Sequence, residues 1–223
     1  MDAPGKAGGF FITLEGPEGG GKSTQIHRLA ASLAEEGHVL WTTREPGGTR
    51  VGEMIRPLLL GPRQSRLAPW TEALLFTAAR AELVDEVIRP RLQRGEIVLC
   101  DRFSDSTLAY QGYGRGLDLE SLRRLQKEAT GSLTPDLTLL LNLPVEAGLA
   151  RIPRSAQDRL DRETKAFHQR VHAGYEQMAA EDPRRWREVD ASADPDEVAR
   201  RVLEQASNAL RQAGVQPSQR RSA

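Results

Sequence analysis

The sequence predicts an α/β fold: a five-stranded parallel sheet flanked by helices, in three layers. Three observations carry this expectation. Short β-type runs alternate with helical patterns along the chain, the order that crossover connections produce. The runs Ile97-Val98-Leu99-Cys100 and Thr138-Leu139-Leu140-Leu141 are apolar almost without alternation, as strands covered on both faces are. The first strand runs directly into a glycine-rich loop that opens a helix. With 223 residues, 39% hydrophobic and 28% charged, the chain is long enough for one well-packed core and too rich in apolar residues to be disordered.

The elements follow in order. Strands are expected over residues 9–15, 38–43, 96–101, 136–142 and, more weakly, 186–189. Ile26, Leu29, Ala30, Leu33 and Ala34 share one helical face, with Gly37 placed to end that helix. Val51, Met54, Ile55, Leu58 and Leu59 repeat the spacing before Gly61, and Pro57 should bend this second helix because its ring removes a donor and crowds the preceding turn. Thr49 is suitably placed to cap it. A third helix over residues 70–88 is apolar on much of its circumference, which predicts that it is well buried. One domain is expected over residues 9–212, with a polar, disordered extension at 1–8 and a disordered tail at 213–223.

Charge and cysteine usage narrow the class. Lys plus Arg and Asp plus Glu both number 31, so no bulk positive charge is available for nucleic acid. The single cysteine, Cys100, forms no intrachain disulfide and reads as a small buried hydrophobe. The amino terminus has no apolar signal region, and no apolar run approaches the ~20 residues of a spanning helix. The expectation is a cytoplasmic protein with no membrane and no nucleic-acid partner.

The loop after the first strand carries chemistry. Gly16-Pro17-Glu18-Gly19-Gly20-Gly21-Lys22-Ser23 is G-x4-G-K-S, followed by Thr24 and the first helix. Strand, glycine loop and helix together form a phosphate cradle, because glycines let successive backbone N–H groups point inward and the helix start adds positive charge. Lys22 is expected on the β- and γ-phosphates of a nucleotide, and the Ser23 hydroxyl on Mg2+. No Asn-Lys-x-Asp segment of a regulatory GTPase is present, and the chain is short for a motor, which leaves a small kinase acting on another small molecule.

A second anion site is expected at the other strand ends, because in a doubly wound sheet the carboxyl edge faces the ligand crevice. Arg44-Glu45-Pro46-Gly47-Gly48-Thr49 ends the second strand, and the following helix carries Arg56. Asp101-Arg102-Phe103 ends the third, placing Asp101 for the Mg2+ shell and the fork of Arg102 for bridging two phosphates.

These segments, with Glu15 before the loop and Ser106-Thr107-Leu108-Ala109-Tyr110-Gln111-Gly112 after Asp101-Arg102-Phe103, together resemble the bacterial thymidylate kinases in order over residues 9–175. The resemblance implies a P-loop kinase fold with a short mobile lid near residues 151–163. It implies transfer of the γ-phosphoryl of ATP to dTMP, with Mg2+, in the route to dTTP, by a homodimer. ATP would lie on Gly16, Pro17, Glu18, Gly19, Gly20, Gly21, Lys22, Ser23 and Thr24. Glu15 would meet the acceptor's 3′-hydroxyl or the metal shell, Arg44 and Arg102 would clamp the dTMP phosphate, and Pro46 would belong to the dTMP site.

Phe76 and Arg80 match the family's base-binding pair. They lie four apart on one helix face, where a ring can stack on a pyrimidine and a guanidinium donate to a carbonyl such as thymine O4. Periodicity alone places Phe76 more readily in the core, and the resemblance reverses that order. Ser106, Thr107, Tyr110 and Gln111 would line the base and sugar pocket, with Tyr110 crowding a ribose 2′-hydroxyl. Arg151, Arg154 and Arg159 resemble lid arginines that meet the charge on the transferring phosphoryl, because the variable loop positions here hold no basic residue; Arg162 and Lys165 read as a solvated helix face. The acceptor oxygen is already anionic, so His27, His38, His168 and His172 need no catalytic role. Another nucleotide or deoxynucleoside kinase, or a nucleotide-binding switch without transfer, are the alternatives.

Overall fold

The structure is a computed structural model and describes residues 8–61 and 66–217. Five parallel strands form one sheet in the order β2-β3-β1-β4-β5: β1 Phe10–Glu15, β2 Leu40–Arg44, β3 Ile97–Asp101, β4 Leu137–Asn142 and β5 Trp186–Asp190. All five expected strands are present, with ends within two residues of expectation. β1 and β3 are buried along nearly their whole length, whereas the edge strand β2 is half open. The central β1 pairs with β3 on one side and β4 on the other, so the order reverses there and a crevice opens at its carboxyl end.

Helices cover both faces. Ile26, Leu29 and Leu33 of α1 (Lys22–Glu35) and Val198, Val202, Ala206 and Leu210 of α9 (Pro195–Gln212) pack with Ile12, Leu14, Leu139 and Leu141 of the sheet. On the other face, Leu140 meets Tyr110, Phe167, Val171, Tyr175 and Trp186, drawing in α8 (Lys165–Glu181). Phe11, Leu83, Ile88, Cys100 and Phe103 form a third cluster beneath β1 and β3. Cys100 is wholly buried, and burial pushes its thiol well up, so it is the inert hydrophobe expected. No helix among the described residues is long and apolar enough to cross a membrane.

The second helix, α2 (Arg50–Leu60), is capped by Thr49, whose hydroxyl accepts from Gly52 N at 2.9 Å, and it runs through Pro57 to end at Gly61. The third helix departs from expectation. It is α3 (Pro69–Leu83), continued by a π-helical turn (Val84–Ile88) into α4 (Arg89–Gln93). Its polar Glu72 and Arg80 are inside, while Trp70 and Leu74 are 42% and 51% exposed. With apolar residues on most sides, spacing does not say which face turns inward. Here that is decided by ionic partners elsewhere in the chain.

A short helix α5 (Ser104–Thr107) and a π-helical turn (Leu108–Gly114) follow β3, then α6 (Leu119–Thr130), and α7 (Val145–Ala150) follows β4. Residues 1–7 of the expected extension and 218–223 of the expected tail lie outside the described residues. Of the rest of that tail, Val215 N donates to Leu210 O and its side chain packs on the first core cluster.

Candidate active site

Strand register assembles the site. Arg44 of β2 and Leu14 of β1 both stand opposite Asp101 of β3, so the residues that follow them emerge together at one edge. The edge is knitted by Glu45 N donating to Asp101 O at 2.9 Å and Arg102 N donating to Leu14 O at 3.0 Å. Above it lies a cavity of about 420 Å³ lined by Glu18, Gly19, Gly21, Lys22, Ser23 and Thr24 on one side. Arg44, Pro46, Arg56, Phe76, Asp101, Arg102, Ser106, Thr107, Tyr110 and Gln111 line the other, with Asp158 and Leu160 above.

The loop wraps the start of α1 as the G-x4-G-K-S spacing requires. Lys22 Nζ donates to Gly16 O at 3.2 Å and Pro17 O at 2.8 Å. Burial, with the Arg102 cation close by, pulls its ammonium down to about 8. Gly19 and Gly148 press backbone on backbone, since a Cβ on Gly19 would stand 2.0 Å from Gly148 O and one on Gly148 would stand 2.2 Å from Glu18 O. Only glycines permit this contact between the loop and α7. Ser23 Oγ donates to Asp101 Oδ2 at 2.6 Å, which brings the two expected metal ligands together at the loop mouth.

Arg102 is the hub. Its backbone takes a left-handed φ of 69°, uncommon for a residue with a side chain, and this turns the guanidinium back toward the loop. It donates to Gly16 O at 3.0 Å, Tyr175 Oη at 3.1 Å and Glu18 Oε2 at 2.9 Å, and lies over the Tyr110 ring. Glu18 also accepts from Tyr110 Oη at 2.5 Å. Burial alone would raise the Glu18 carboxyl, but the Arg102 and Lys22 cations hold it down at about 2. An ionised carboxylate therefore stands on the wall between the loop and the second half of the cavity, where the sequence reading counted Glu18 only as a loop position.

Several expected site residues stand elsewhere. Glu15 is wholly buried behind the wall, accepting from Phe103 N at 2.7 Å, Ser106 Oγ at 2.6 Å and Tyr175 Oη at 2.9 Å. Burial, reinforced by Asp105, pushes its carboxyl up to about 7. Its oxygens accept from the protein, and Glu15 is not among the residues lining the cavity. Arg80 is 1% exposed and is not among the residues lining the cavity. Its guanidinium grips Glu45 and donates to Thr107 Oγ1 at 2.8 Å, Gln126 Oε1 at 2.5 Å and Phe103 O at 3.0 Å. All five N–H donors are engaged within the protein. Phe76, one turn earlier, does reach the cavity.

The three expected lid arginines do not converge. Arg151 donates to Gly19 O at 3.4 Å and Ala191 O at 3.0 Å, tying the root of the lid to the loop and to the segment after β5. Arg154 is exposed on a short 3-10 turn (Arg154–Ala156). Arg159 is drawn back to Leu59 O at 2.8 Å and to Glu72 at 2.5 Å. Lys165 pairs with Glu146 at 2.5 Å, and Arg162 lies in the turn before α8, so neither makes the expected face of one charged helix. Arg56 was noted only for its helix, yet it joins Arg44 and Arg102 on the wall, its Nη1 donating to Pro46 O at 2.6 Å. Its signal in the sequence was a cation on the α2 face that carries none of the periodic apolar residues.

A glycine cradle, a serine–aspartate pair and a second basic pocket at the switch point of a five-stranded parallel sheet define a P-loop kinase of small phosphorylated substrates. The family profile described as thymidylate kinase matches residues 14–202. A thymidylate kinase of Thermomicrobium roseum is 60% identical over 192 residues, covering 85% of this chain and 90% of that protein. One of Syntrophotalea carbinolica is 50% identical over 208 residues, covering 90% and 96%. The crystal structure of thymidylate kinase from Ehrlichia chaffeensis superposes with a TM-score of 0.72 at 34% identity, covering 89% of this chain and 98% of that one. The chain belongs to the thymidylate kinase family.

Proposed function

We infer that this chain transfers the γ-phosphoryl group of ATP to the 5′-phosphate of dTMP, giving dTDP and ADP for dTTP synthesis. The observation that carries this reading is Arg102. One guanidinium touches the ATP loop at Gly16 and Glu18 and also lies over Tyr110 in the second half of the cavity. A protein that only bound and released a nucleotide would have no use for that second half.

ATP would place its phosphates on the backbone amides of residues 16–24 and on Lys22. dTMP would place its phosphate among Arg44, Arg56 and Arg102, with its base against Phe76. The attacking phosphate oxygen is anionic at neutral pH, so catalysis consists of setting two polyanions in line and neutralising their repulsion. Ser23 and Asp101 offer the hard oxygen donors that Mg2+ takes beside phosphate oxygens, and no group of three His, Cys, Asp or Glu suited to a metal occurs among the described residues. When bound there, Mg2+ would spread the charge of the β- and γ-phosphates. Arg154, exposed on its 3-10 turn, would be the lid cation free to swing inward, while Arg159 would first have to leave Glu72.

Oligomeric state and compartment are part of the proposal. Val51, Met54 and Leu58 of α2 and Trp70 and Leu74 of α3 are exposed apolar residues on two contacting helices, which supports a homodimer closing over that face. The free, buried Cys100 suits the reducing cytoplasm. Coupled ADP release with dTMP, dUMP, dCMP and dGMP tests the activity. The expected result is fastest turnover with dTMP, and ADP release indifferent to any nucleoside monophosphate would overturn it.

A further inference from the structure

Glu15 lies outside the cavity lining, yet it ties together the residues that hold Arg102. Arg102 Nη1 donates to Gly16 O at 3.0 Å, to Tyr175 Oη at 3.1 Å and to Ser106 Oγ at 3.4 Å. Tyr175, wholly buried on α8, and Ser106 on α5 both reach one oxygen of Glu15. Tyr175 Oη donates to Glu15 Oε2 at 2.9 Å and Ser106 Oγ donates to it at 2.6 Å. The other oxygen, Oε1, accepts from Phe103 N at 2.7 Å. A guanidinium has donors and no acceptor. Each hydroxyl therefore serves Arg102 only through a lone pair, and its single proton must be taken elsewhere. Glu15 Oε2 takes both.

We propose that Glu15 is a positioning residue for Arg102: by accepting the hydroxyl protons of Tyr175 and Ser106 it turns their lone pairs to the guanidinium and fixes the fork between the ATP loop and the other half of the cavity. This rests on the phosphoryl-transfer reading above. Only a carboxylate accepts at both oxygens. An amide in its place would set NH2 either against Phe103 N–H or against the two hydroxyls. The hydroxyls stand 2.8 Å apart and can pass one proton between them, which leaves the other directed at Arg102. Burial, reinforced by Asp105 of α5, pushes the Glu15 carboxyl up to about 7, against the Arg102 cation and the hydrogen bonds from Ser106 and Phe103. Lys22 of α1 and Arg185, just before β5, are the other cations that act on it. A wholly buried acid kept close to its charged form is destabilising, and such groups gather at functional sites.

In Glu15→Gln a proton is presented where Arg102 needs an acceptor, a mispairing that corresponds to roughly ten- to hundredfold in rate. Tyr175→Phe keeps the ring in its packing and removes one acceptor, which corresponds to about fivefold. Because Glu15 acts through Arg102, its replacement should matter little once Arg102 is gone.

Steady-state kinetics of the full chain with ATP and dTMP test this. In folded Glu15→Gln, kcat is expected to fall at least about tenfold while the KM for ATP stays within about threefold of wild type. Made in an Arg102→Met background, the same change should lower kcat by less than about threefold further. An equal loss in both backgrounds is what a merely structural role produces, and it overturns the proposal, as does a Glu15→Gln kcat within about twofold of wild type. Tyr175→Phe should lower kcat about fivefold in the wild-type background, and an unchanged kcat there would count equally against the relay. The wild-type protein supplies a measurement that does not depend on a variant folding. In 13C NMR spectra of its complex with ADP and dTMP at pH 8, the Glu15 carboxyl carbon should resonate as a carboxylate, and a neutral carboxyl would overturn the assignment. A wild type that moves no phosphoryl group to dTMP would sink the functional reading itself, whereas an active wild type with an unmoved Glu15→Gln kcat sinks only the role of Glu15.

Discussion

Replacing Arg102 by methionine keeps the length of the stem and deletes the charge. The guanidinium is 16% exposed and faces a Glu18 side chain that is 18% exposed, at 2.9 Å. Breaking a buried pair from one side costs about 3–5 kcal/mol, and the partial exposure of both groups places the loss here toward the lower end. The stability deficit should narrow toward low pH. Without Arg102, Glu18 loses a main cause of its low pKa, burial pushes the carboxyl up, and protonation removes an unpaired buried charge. The effect on turnover is separate and larger. Arginines that neutralise a transferring phosphoryl are worth ~10³ or more in rate, which is ~4 kcal/mol of barrier. The expectation is therefore a kcat at least about a thousandfold below wild type in a folded protein, measured by coupled ADP release beside a thermal melt. Arg102→Lys should fall between, since a point charge remains but the fork that reaches both Gly16 O and Glu18 is lost. A folded Arg102→Met enzyme turning over within threefold of wild type would refute the bridging role outright.

Four further outcomes follow from the same geometry. Lys22 is charged below and neutral above about 8, so the Kd for ATP should weaken as pH rises past 8, approaching about tenfold per unit; calorimetry from pH 7 to 9.5 should show the bend in wild type and a flatter line in Lys22→Arg. Glu15, raised from 4.5 to about 7, binds more proton when folded than unfolded between those values, so its contribution is present below 4.5 and is lost as pH rises through 7. Glu15→Gln should accordingly flatten the decline in stability between pH 5 and 8, a difference of up to about 3 kcal/mol in denaturant titrations, and an unchanged slope would remove Glu15 as its source. Gly148→Ala drives a methyl group into Glu18 O; strain of this kind costs about 1–3 kcal/mol, and an ATP affinity equal to wild type would show that the loop does not lean on α7. Leu74→Asp should convert a dimer to a monomer in sedimentation velocity with little change in melting temperature at low concentration, and an unaltered sedimentation coefficient would place the interface elsewhere.

Those features of the site that are local in the sequence were legible there, and those that depend on distant pairing were not. The phosphate cradle is one continuous segment whose glycines, lysine and serine have to be adjacent for backbone amides to converge, so spacing alone described it. Asp101, Arg102 and Arg44 could be placed because a parallel sheet sends every strand's carboxyl end to the same edge. The interior of α3 obeys neither rule. Glu72 finds Gln111, Arg115 and Arg159, and Arg80 finds Glu45, Thr107 and Gln126, between 27 and 46 residues away for those hydrogen-bonded partners and farther for Arg159. A helix that buries ion pairs and exposes Trp70 and Leu74 reverses the pattern on which burial is read from periodicity.

The same reversal separates Phe76, which lines the cavity, from Arg80, which does not, although they share a face and lie four apart. A ring needs only to be near the cavity, while a guanidinium goes where its five donors are met. The buried Glu45 carboxylate holds the Arg80 guanidinium inside, because charge-assisted bonds are about twice as strong as neutral ones. In this fold two buried carboxylates decide how the polar groups around α3 are spent: Glu45 takes Arg80, and Glu72 takes Gln111, Arg115 and Arg159.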